Sequence, residues 1–316
     1  MDIPKVAVII PAKGRAPHLK KCLASVLGLN YPYFDTIVVD DGLDENAKRD
    51  IDAYAEQVKV LSSSQQGPSF ARNVAAHFTD AEFLAFTDSD CLVDRDWLNQ
   101  MLKGFQYGPE TAACGGVQRL PPEASRFEAH VFSFMRKIGF LTDYIRSAAE
   151  DKIIAVAHNA SCNVMYRRDI FLKENGFLQG LWPGEDVEFD HRLTRNGHTV
   201  VFNPHALVEH HRPDSLPGFC RMMYRYGKAQ GFLVRRYGIF RKIQLVPLAG
   251  FLIILFFLGL GIFSPTALTP ALVVMVAVCL VYFRGFLLLG LFIFAGFCWH
   301  AGFCFGLGSG FSKSKR

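Results

Sequence analysis

The sequence predicts an α/β domain with a mostly parallel sheet, followed by C-terminal transmembrane helices. Three observations predict it. Short apolar runs alternate with helical patterns of about ten residues, the signature of βαβ units. Acidic clusters stand where runs end or a helix begins: Asp40-Asp41, Asp88-Ser89-Asp90 and Glu185-Asp186. Charge is also very unevenly spread. Of 63 Asp, Glu, Lys and Arg residues in a chain of 316, 59 lie in the first 244, and Arg284 alone lies in the 67 residues from Leu245 to Phe311.

The elements follow in order. Lys5–Ile10 is a β-branched strand that stops at Pro11, and Pro17–Leu27 places Leu19, Cys22, Leu23, Val26 and Leu27 at helical spacing. Thr36–Val39 is a second strand ending in Asp40-Asp41-Gly42, Asp44–Tyr54 a helix and Val58–Leu61 a third strand. Ser69–Phe78 is a helix, Glu82–Thr87 a fourth strand and Arg95–Phe105 another helix. Beyond Gly115-Gly116 the alternation weakens, and residues 118–152 read as irregular to helical around Pro121-Pro122. Ala160–Tyr166 then reads as a strand, and Arg168–Asn175 and Glu185–Arg195 as helices stopped by Gly176 and Gly197. Thr199–Asn203 and Ala206–Glu209 are strands, and a basic helix starts near Pro217. Ligands of such sheets sit beyond the carboxyl ends of the strands, so the polar residues there are where chemistry is sought.

Several classes are excluded. A net charge of +5 without interleaved basic and aromatic residues gives no footprint for nucleic acid. The eight cysteines form no C-x-x-C pair, which suits reduced thiols in a cytosol-facing domain. Met1-Asp2-Ile3-Pro4-Lys5 lacks the apolar stretch of a signal peptide, so the first domain is expected on the side where it is made. Neither G-x-G-x-x-G nor a P-loop occurs.

Leu245–Phe263 is an uncharged run of 19 residues, roughly 28 Å as a helix and close to the thickness of a bilayer's hydrocarbon. Ser264-Pro265-Thr266 breaks it, Ala267–Phe283 is a second run, and a third extends from Gly285 to about Leu307. Gly302, Gly306 and Gly310 give that third run a small-residue face, and its glycine content also suits a re-entrant or interfacial piece. Length favours three spans. Arg221, Arg225, Lys228, Arg235, Arg236, Arg241 and Lys242 precede the first run, and the positive-inside rule puts that side in the cytoplasm.

Asp88-Ser89-Asp90 puts two carboxylates near one point after an apolar run, and such oxygen ligands suit Mg²⁺ or Mn²⁺ bridging to phosphate. The same pattern also makes turns and N-caps. Asp40-Asp41-Gly42 is either a turn or a nucleoside contact. Glu185-Asp186 favours a helix dipole whatever its function, or supplies a general base. His210-His211 could bind metal or phosphate, or be structural.

Taken in order, these motifs resemble the family 2 glycosyltransferases with the GT-A fold, over residues 5–240. The resemblance rests on Val6-Ala7-Val8-Ile9-Ile10-Pro11-Ala12, Val38-Val39-Asp40-Asp41-Gly42, Gly67-Pro68-Ser69-Phe70-Ala71-Arg72-Asn73 and Phe86-Thr87-Asp88-Ser89-Asp90. It continues through Asn163 to Arg168, Gly176-Phe177, and Gly184-Glu185-Asp186-Val187-Glu188-Phe189 with Arg192-Leu193 and Gly197. The resemblance implies that Pro11, Asp41 and Arg72 surround the nucleotide base and ribose. It implies that Asp88 and Asp90 hold the donor, Asp90 most directly through a metal that His210 or His211 completes. Asp186 would deprotonate the acceptor hydroxyl, with inversion at the anomeric carbon. Glu185, Arg221 and Arg225 would contact acceptor or diphosphate. The chain departs from the pattern at Leu43, where Ser is common, and at Lys13-Gly14-Arg15.

The expectation is thus a metal-dependent, inverting, membrane-anchored glycosyltransferase using Mg²⁺ or Mn²⁺. Its partners would be a nucleotide-sugar donor, a lipid-linked or glycan acceptor and membrane lipid, with no nucleic acid. Residues 1–243 would form the GT-A domain, with a donor half to about 117 and an acceptor half from about 118. Residues 244–311 would form a membrane domain and 312–316 a basic tail, the catalytic domain facing the cytoplasm. A polyprenyl-phosphate sugar synthase and a non-catalytic nucleotide-sugar-binding scaffold stand as alternatives.

Overall fold

The computed structural model describes residues 3–138, 151–283 and 286–308. In chain order the elements are β1 (Val6–Gly14), α1 (Leu19–Leu27), β2 (Phe34–Leu43), α2 (Glu45–Asp52), β3 (Val58–Ser62), α3 (Pro68–Phe78) and β4 (Phe83–Thr87). Next come β5 (Cys91–Val93), α4 (Trp97–Gly104), β6 (Thr111–Arg119), α5 (Arg126–Lys137), β7 (Ile154–Ala155), β8 (Asn163–Arg167), α6 (Arg168–Lys173), α7 (Glu185–Arg195) and β9 (Thr199–His210). The chain continues as α8 (Leu216–Tyr237), a short 3₁₀ turn (Lys242–Leu245), α9 (Val246–Phe263), α10 (Pro265–Phe283) and α11 (Phe286–Gly308). The described residues fall into two compact units. The first holds 3–124 and 151–211; the second holds α5 and everything described from Arg212 onward.

In the first unit one sheet runs β3-β2-β1-β4-β8-β6-β9-β5, with β7 added on β9. Both faces are covered, and β1 shows how. Val6, Val8 and Ile10 point into a core with Leu19, Leu23 and Val26 of α1 and Trp97, Leu98 and Met101 of α4. Ala7 and Ile9 point into the opposite core with Ala71 and Ala75 of α3, Phe171 of α6 and Phe189 and Leu193 of α7. A strand buried on both faces reads as a continuous apolar run, which is why β1, β2 and β4 are plain in the sequence.

The first four strands pair in parallel, as expected of βαβ units. The second half is mixed. β8 runs antiparallel to both β4 and β6, and β9 runs parallel to β6 but antiparallel to β5 and β7. Three local expectations change. β1 continues through Pro11 to Gly14, because its pairing with β4 has ended at Ile9 and the missing N–H of proline removes no ladder bond on that side. β6 runs straight through Gly115-Gly116. A Cβ on Gly116 would stand 1.9 Å from the Ala206 carbonyl oxygen, so the close approach of β9 requires glycine there. Thr199–Asn203 and Ala206–Glu209 are one strand, with a register shift opposite Gly116/Val117.

The second unit starts with α5, whose Ser125 and Glu128 form a reciprocal capping box; Glu128 also accepts from the Arg212 amide at 3.1 Å. Three of its helices are long and apolar enough to cross a membrane: Lys242–Phe263, Pro265–Tyr282 and Phe286–Gly308. Arg284, Gly310, the basic tail and residues 139–150 lie outside the described residues.

Candidate active site

Strand pairing assembles the site. Asp88 follows β4 directly and Asp90 precedes β5, and β5 lies against the end of β9 with Cys91 opposite His210. That register brings His210 Nε2 to 3.5 Å from Asp90 Oδ1. One ligand atom each from Asp88, Asp90 and His210 lie within 4.8 Å of one another.

Arg72 on α3 is the hub, and it is 1% exposed. Its Nη2 donates to Asp88 Oδ1 at 2.5 Å and its Nη1 to Glu185 Oε1 at 2.8 Å. A carboxylate from the end of β4 and one from the start of α7 therefore share one guanidinium. Burial works against the charge on Arg72, but Asp88 and Glu185 outweigh it and hold its pKa above the ordinary value. Glu185 is also 1% exposed. Burial first, then repulsion from Asp186, push its pKa up to about 7, with Arg72 only partly offsetting them. Glu185 Oε2 has no hydrogen-bond partner among the described residues, which adds to the cost of its charge.

Glu185 and Asp186 open α7, where the partial positive charge of a helix N-terminus favours acids. The loop before β8 holds both in place. The Ser161 amide donates to Asp186 Oδ2 at 3.0 Å and the Ser161 hydroxyl to Glu185 Oε1 at 2.9 Å. Asp186 Oδ1 accepts from the Val187 amide at 2.7 Å. Asp190, one turn on, is buried; it accepts from the Asn159 amide at 2.7 Å and the Tyr166 hydroxyl at 2.9 Å, tying α7 to the same loop and to β8. Ser161, Asn159 and Asp190 escaped the sequence reading. Ser161 fell within Ala160–Tyr166, expected as strand, whereas β8 starts only at Asn163 and leaves Ser161 in the loop.

At the other end of the sheet the two adjacent aspartates divide their roles. Asp40 Oδ1 accepts from the amides of Gly42 and Leu43 at 2.8 and 2.7 Å, which makes the turn. Asp41, 2% exposed, accepts from the Ser63 hydroxyl at 2.5 Å and the Gly67 amide at 3.1 Å, and its Oδ2 lies 3.4 Å from Lys13 Nζ. It thereby clamps the ends of β2 and β3 to the start of α3. Pro11 is buried in β1, paired with Val39 of β2.

The histidine pair separates too. His210 faces Asp90, whereas the His211 ring stacks on His18 at 3.9 Å between centroids. His210 looks two ways: Nε2 toward Asp90, and Nδ1 toward Gln118 Oε1 at 3.3 Å and Cys162 Sγ at 3.4 Å. A neutral ring that donates from Nδ1 to the Gln118 carbonyl presents the Nε2 lone pair to the carboxylates. Two carboxylates and one such imidazole form a donor set that fits a divalent cation of the Mn²⁺ type. Gln118 carried no sequence signal, being an ordinary polar residue at the end of a strand that was not foreseen. Arg221 and Arg225 lie on α8, in the second unit.

The fold itself has solved counterparts. The mannosyltransferase PcManGT from Pyrobaculum calidifontis, solved in complex with GDP-Man and Mn²⁺, superimposes with a TM-score of 0.70 at 18% identity, covering 95% of this chain and 88% of that one. The first unit with its strand-end carboxylates is thus a GT-A fold. The glycosyl transferase family 2 profile matches residues 7–173, just over half the chain, and the protein belongs to that family. It is a glycosyltransferase. Glycosyltransferase AglE of Haloferax volcanii is 26% identical over 234 residues, 72% of this chain and 73% of its own. The dolichyl N-acetyl-alpha-D-glucosaminyl phosphate 3-beta-D-2,3-diacetamido-2,3-dideoxy-beta-D-glucuronosyltransferase of Methanococcus voltae is 21% identical over 261 residues, 79% of each chain.

Proposed function

We propose that the first unit transfers a glycosyl group from a nucleotide-sugar donor to a hydroxyl of a lipid-linked, polysaccharide or other glycan acceptor, inverting the anomeric centre. The observation that carries this reading is the shared guanidinium of Arg72. It holds Asp88, a donor-side acid, and Glu185 together, so that Asp186 stands one residue from the same point.

In this reading Asp186 takes the proton of the acceptor hydroxyl as that oxygen attacks the anomeric carbon. The carbon–oxygen bond to the acceptor forms while the bond to the diphosphate breaks, and the electron pair leaves with the nucleoside diphosphate. A single displacement of this kind inverts configuration. Asp88, Asp90 and His210 would hold the divalent cation, Mg²⁺ or Mn²⁺, whose charge offsets that of the departing diphosphate. Asp41 and Pro11 shape the pocket end for the nucleoside, and Arg72 positions the acids. By the resemblance alone, Arg221 and Arg225 are proposed as contacts of acceptor or diphosphate.

The acceptor class follows from two supports. The Methanococcus voltae relative is named for a dolichyl phosphate-linked sugar, and three C-terminal helices have the length and composition of membrane spans. A hydroxyl on a lipid-linked saccharide suits both. The same helices anchor the protein in the cell membrane, with the seven cations from Arg221 to Lys242 keeping the catalytic unit in the cytoplasm. The catalytic domain is taken as 1–243 and the membrane domain as 244–311.

The experiment is a donor screen. Nucleoside diphosphate release is measured from a panel of nucleotide-sugars with Mn²⁺ and membrane lipid extract as acceptor. The reading expects one donor to respond to extract and Asp90→Ala to abolish the response. Release from no donor, together with intact cellular function of Asp90→Ala, favours a non-catalytic binding role.

A further inference from the structure

The second unit contains a helix pair that decides how the chain meets the bilayer. α8 and α11 pack glycine against backbone, from both sides. A Cβ on Gly227 or Gly231 would stand 2.2 or 2.1 Å from the carbonyl oxygens of Trp299 and Phe303. Reciprocally, a Cβ on Gly302 or Gly306 would stand 2.1 or 2.0 Å from those of Tyr224 and Lys228. Two small-x-x-x-small faces thus interlock, the closest approach that two helices make. Numbers rise together along both helices, so they run parallel, and Arg235 Nη1 closes the contact by donating to the Gly308 carbonyl at 3.1 Å.

α8 carries Arg221, Arg225, Lys228, Arg235 and Arg236. Wherever the second half of α11 goes, those cations go with it. Crossing the hydrocarbon would carry Arg225 and Lys228 into the bilayer, where each is strongly disfavoured. α9 and α10 differ in kind: between Val246 and Phe283 there is no charge, and their spanning windows bury nothing inside the protein. Part of the α11 window is buried, and Lys228 Nζ lies 4.9 Å over the Phe305 ring, a cation on an aromatic as at a membrane surface.

We infer that α11 does not cross the bilayer: α8 and α11 lie together in the membrane interface, their cations against anionic lipid headgroups, and only the α9–α10 hairpin spans. Charge complementarity names the partner, since a polybasic helix at the foot of a transmembrane hairpin is drawn to anionic lipid. Arg284 and the tail cations Lys313, Lys315 and Arg316 then all fall on the side of α8, in keeping with the positive-inside rule. The inference stands independently of the transfer reaction.

The test uses the full-length chain in bacterial membranes. Reporters are fused in turn to its N- and C-termini: green fluorescent protein, which matures in the cytoplasm, and alkaline phosphatase, which is active outside it. Both ends reporting the same side is the expected result; opposite sides overturn the inference. A second arm tests the pairing itself through Cys220 and Cys298, neighbouring thiols on α8 and α11. A short bis-maleimide should bridge them in native membranes, Gly306→Leu should cut the yield several-fold, and Gly290→Leu, which meets open space, should not. Equal bridging in all three would show that the glycine seam does not hold α11, and the inference would fall.

Discussion

Arg72 and Glu185, 113 residues apart in sequence, form a buried ion pair, Nη1 donating to Oε1 at 2.8 Å. The pair joins the helix after β3 to the helix that carries the proposed base. Removing the cation leaves its two acids, Glu185 and Asp88, without compensation. Arg72→Ala should therefore cost about 3–5 kcal/mol of stability. Thermal denaturation of the detergent-solubilised chain checks this. Adding Glu185→Gln to the variant should recover part of the loss, because the stranded charge is then gone.

The raised pKa of Glu185 sets a pH dependence with a definite sign. The unfolded carboxyl loses its proton near the ordinary value of 4.5, the folded one near 7, so between those values the folded state binds more protons. Stability should fall as pH rises from about 4.5 to about 7 and then level off, the group's contribution being at most about 3 kcal/mol. Glu185→Gln should flatten that part of the profile. Melting curves across pH 5–8 on both proteins decide it, and an unchanged slope in the variant would remove Glu185 as its source.

By accepting from Nδ1, Gln118 would set which nitrogen of His210 faces the carboxylates. Replacing its carbonyl by an apolar group in Gln118→Leu should weaken Mn²⁺ binding about 10- to 100-fold. Gln118→Glu, which keeps an acceptor, should lose much less. The readout is Mn²⁺ titration followed by electron paramagnetic resonance, which needs no turnover.

The nature of the nucleophile is tested by comparing one acid with two cations. A hydroxyl acceptor needs a base, so Asp186→Asn should be far more damaging than Arg221→Ala or Arg225→Ala. Each arginine loss should cost about tenfold or less, roughly 1.4 kcal/mol. The reverse order would identify a phosphate nucleophile, which needs cations more than a base. Initial rates of transfer with saturating donor make the comparison.

Much of the first unit was legible from sequence for a physical reason. β1, β2 and β4 are buried on both faces and read as apolar runs, and Asp44 caps α2 by accepting from the amides of Asn46 and Ala47. β6 was hidden because Gly115 and Gly116 contribute no side chain to a pattern, although their emptiness is what β9 and Asn159 require. Register is a long-range property, so nothing near His210 or His211 in sequence says which one meets Asp90. The same holds for Arg72. Its Ala-Arg-Asn context suggested the donor, while its partner Glu185 comes from a distant helix. In the second unit the glycine repeat of α11 was visible, but the matching Gly227 and Gly231 lay inside a helix read only for its cations.

In the proposed reaction Asp186 is the base beside a donor site built on Asp88, Asp90 and His210. Transfer rate and donor affinity measured side by side on Asp186→Asn test it most directly. Donor binding as in the wild type, with transfer lowered by at least about 100-fold, is the expected result. Transfer at a rate close to the wild type would contradict it.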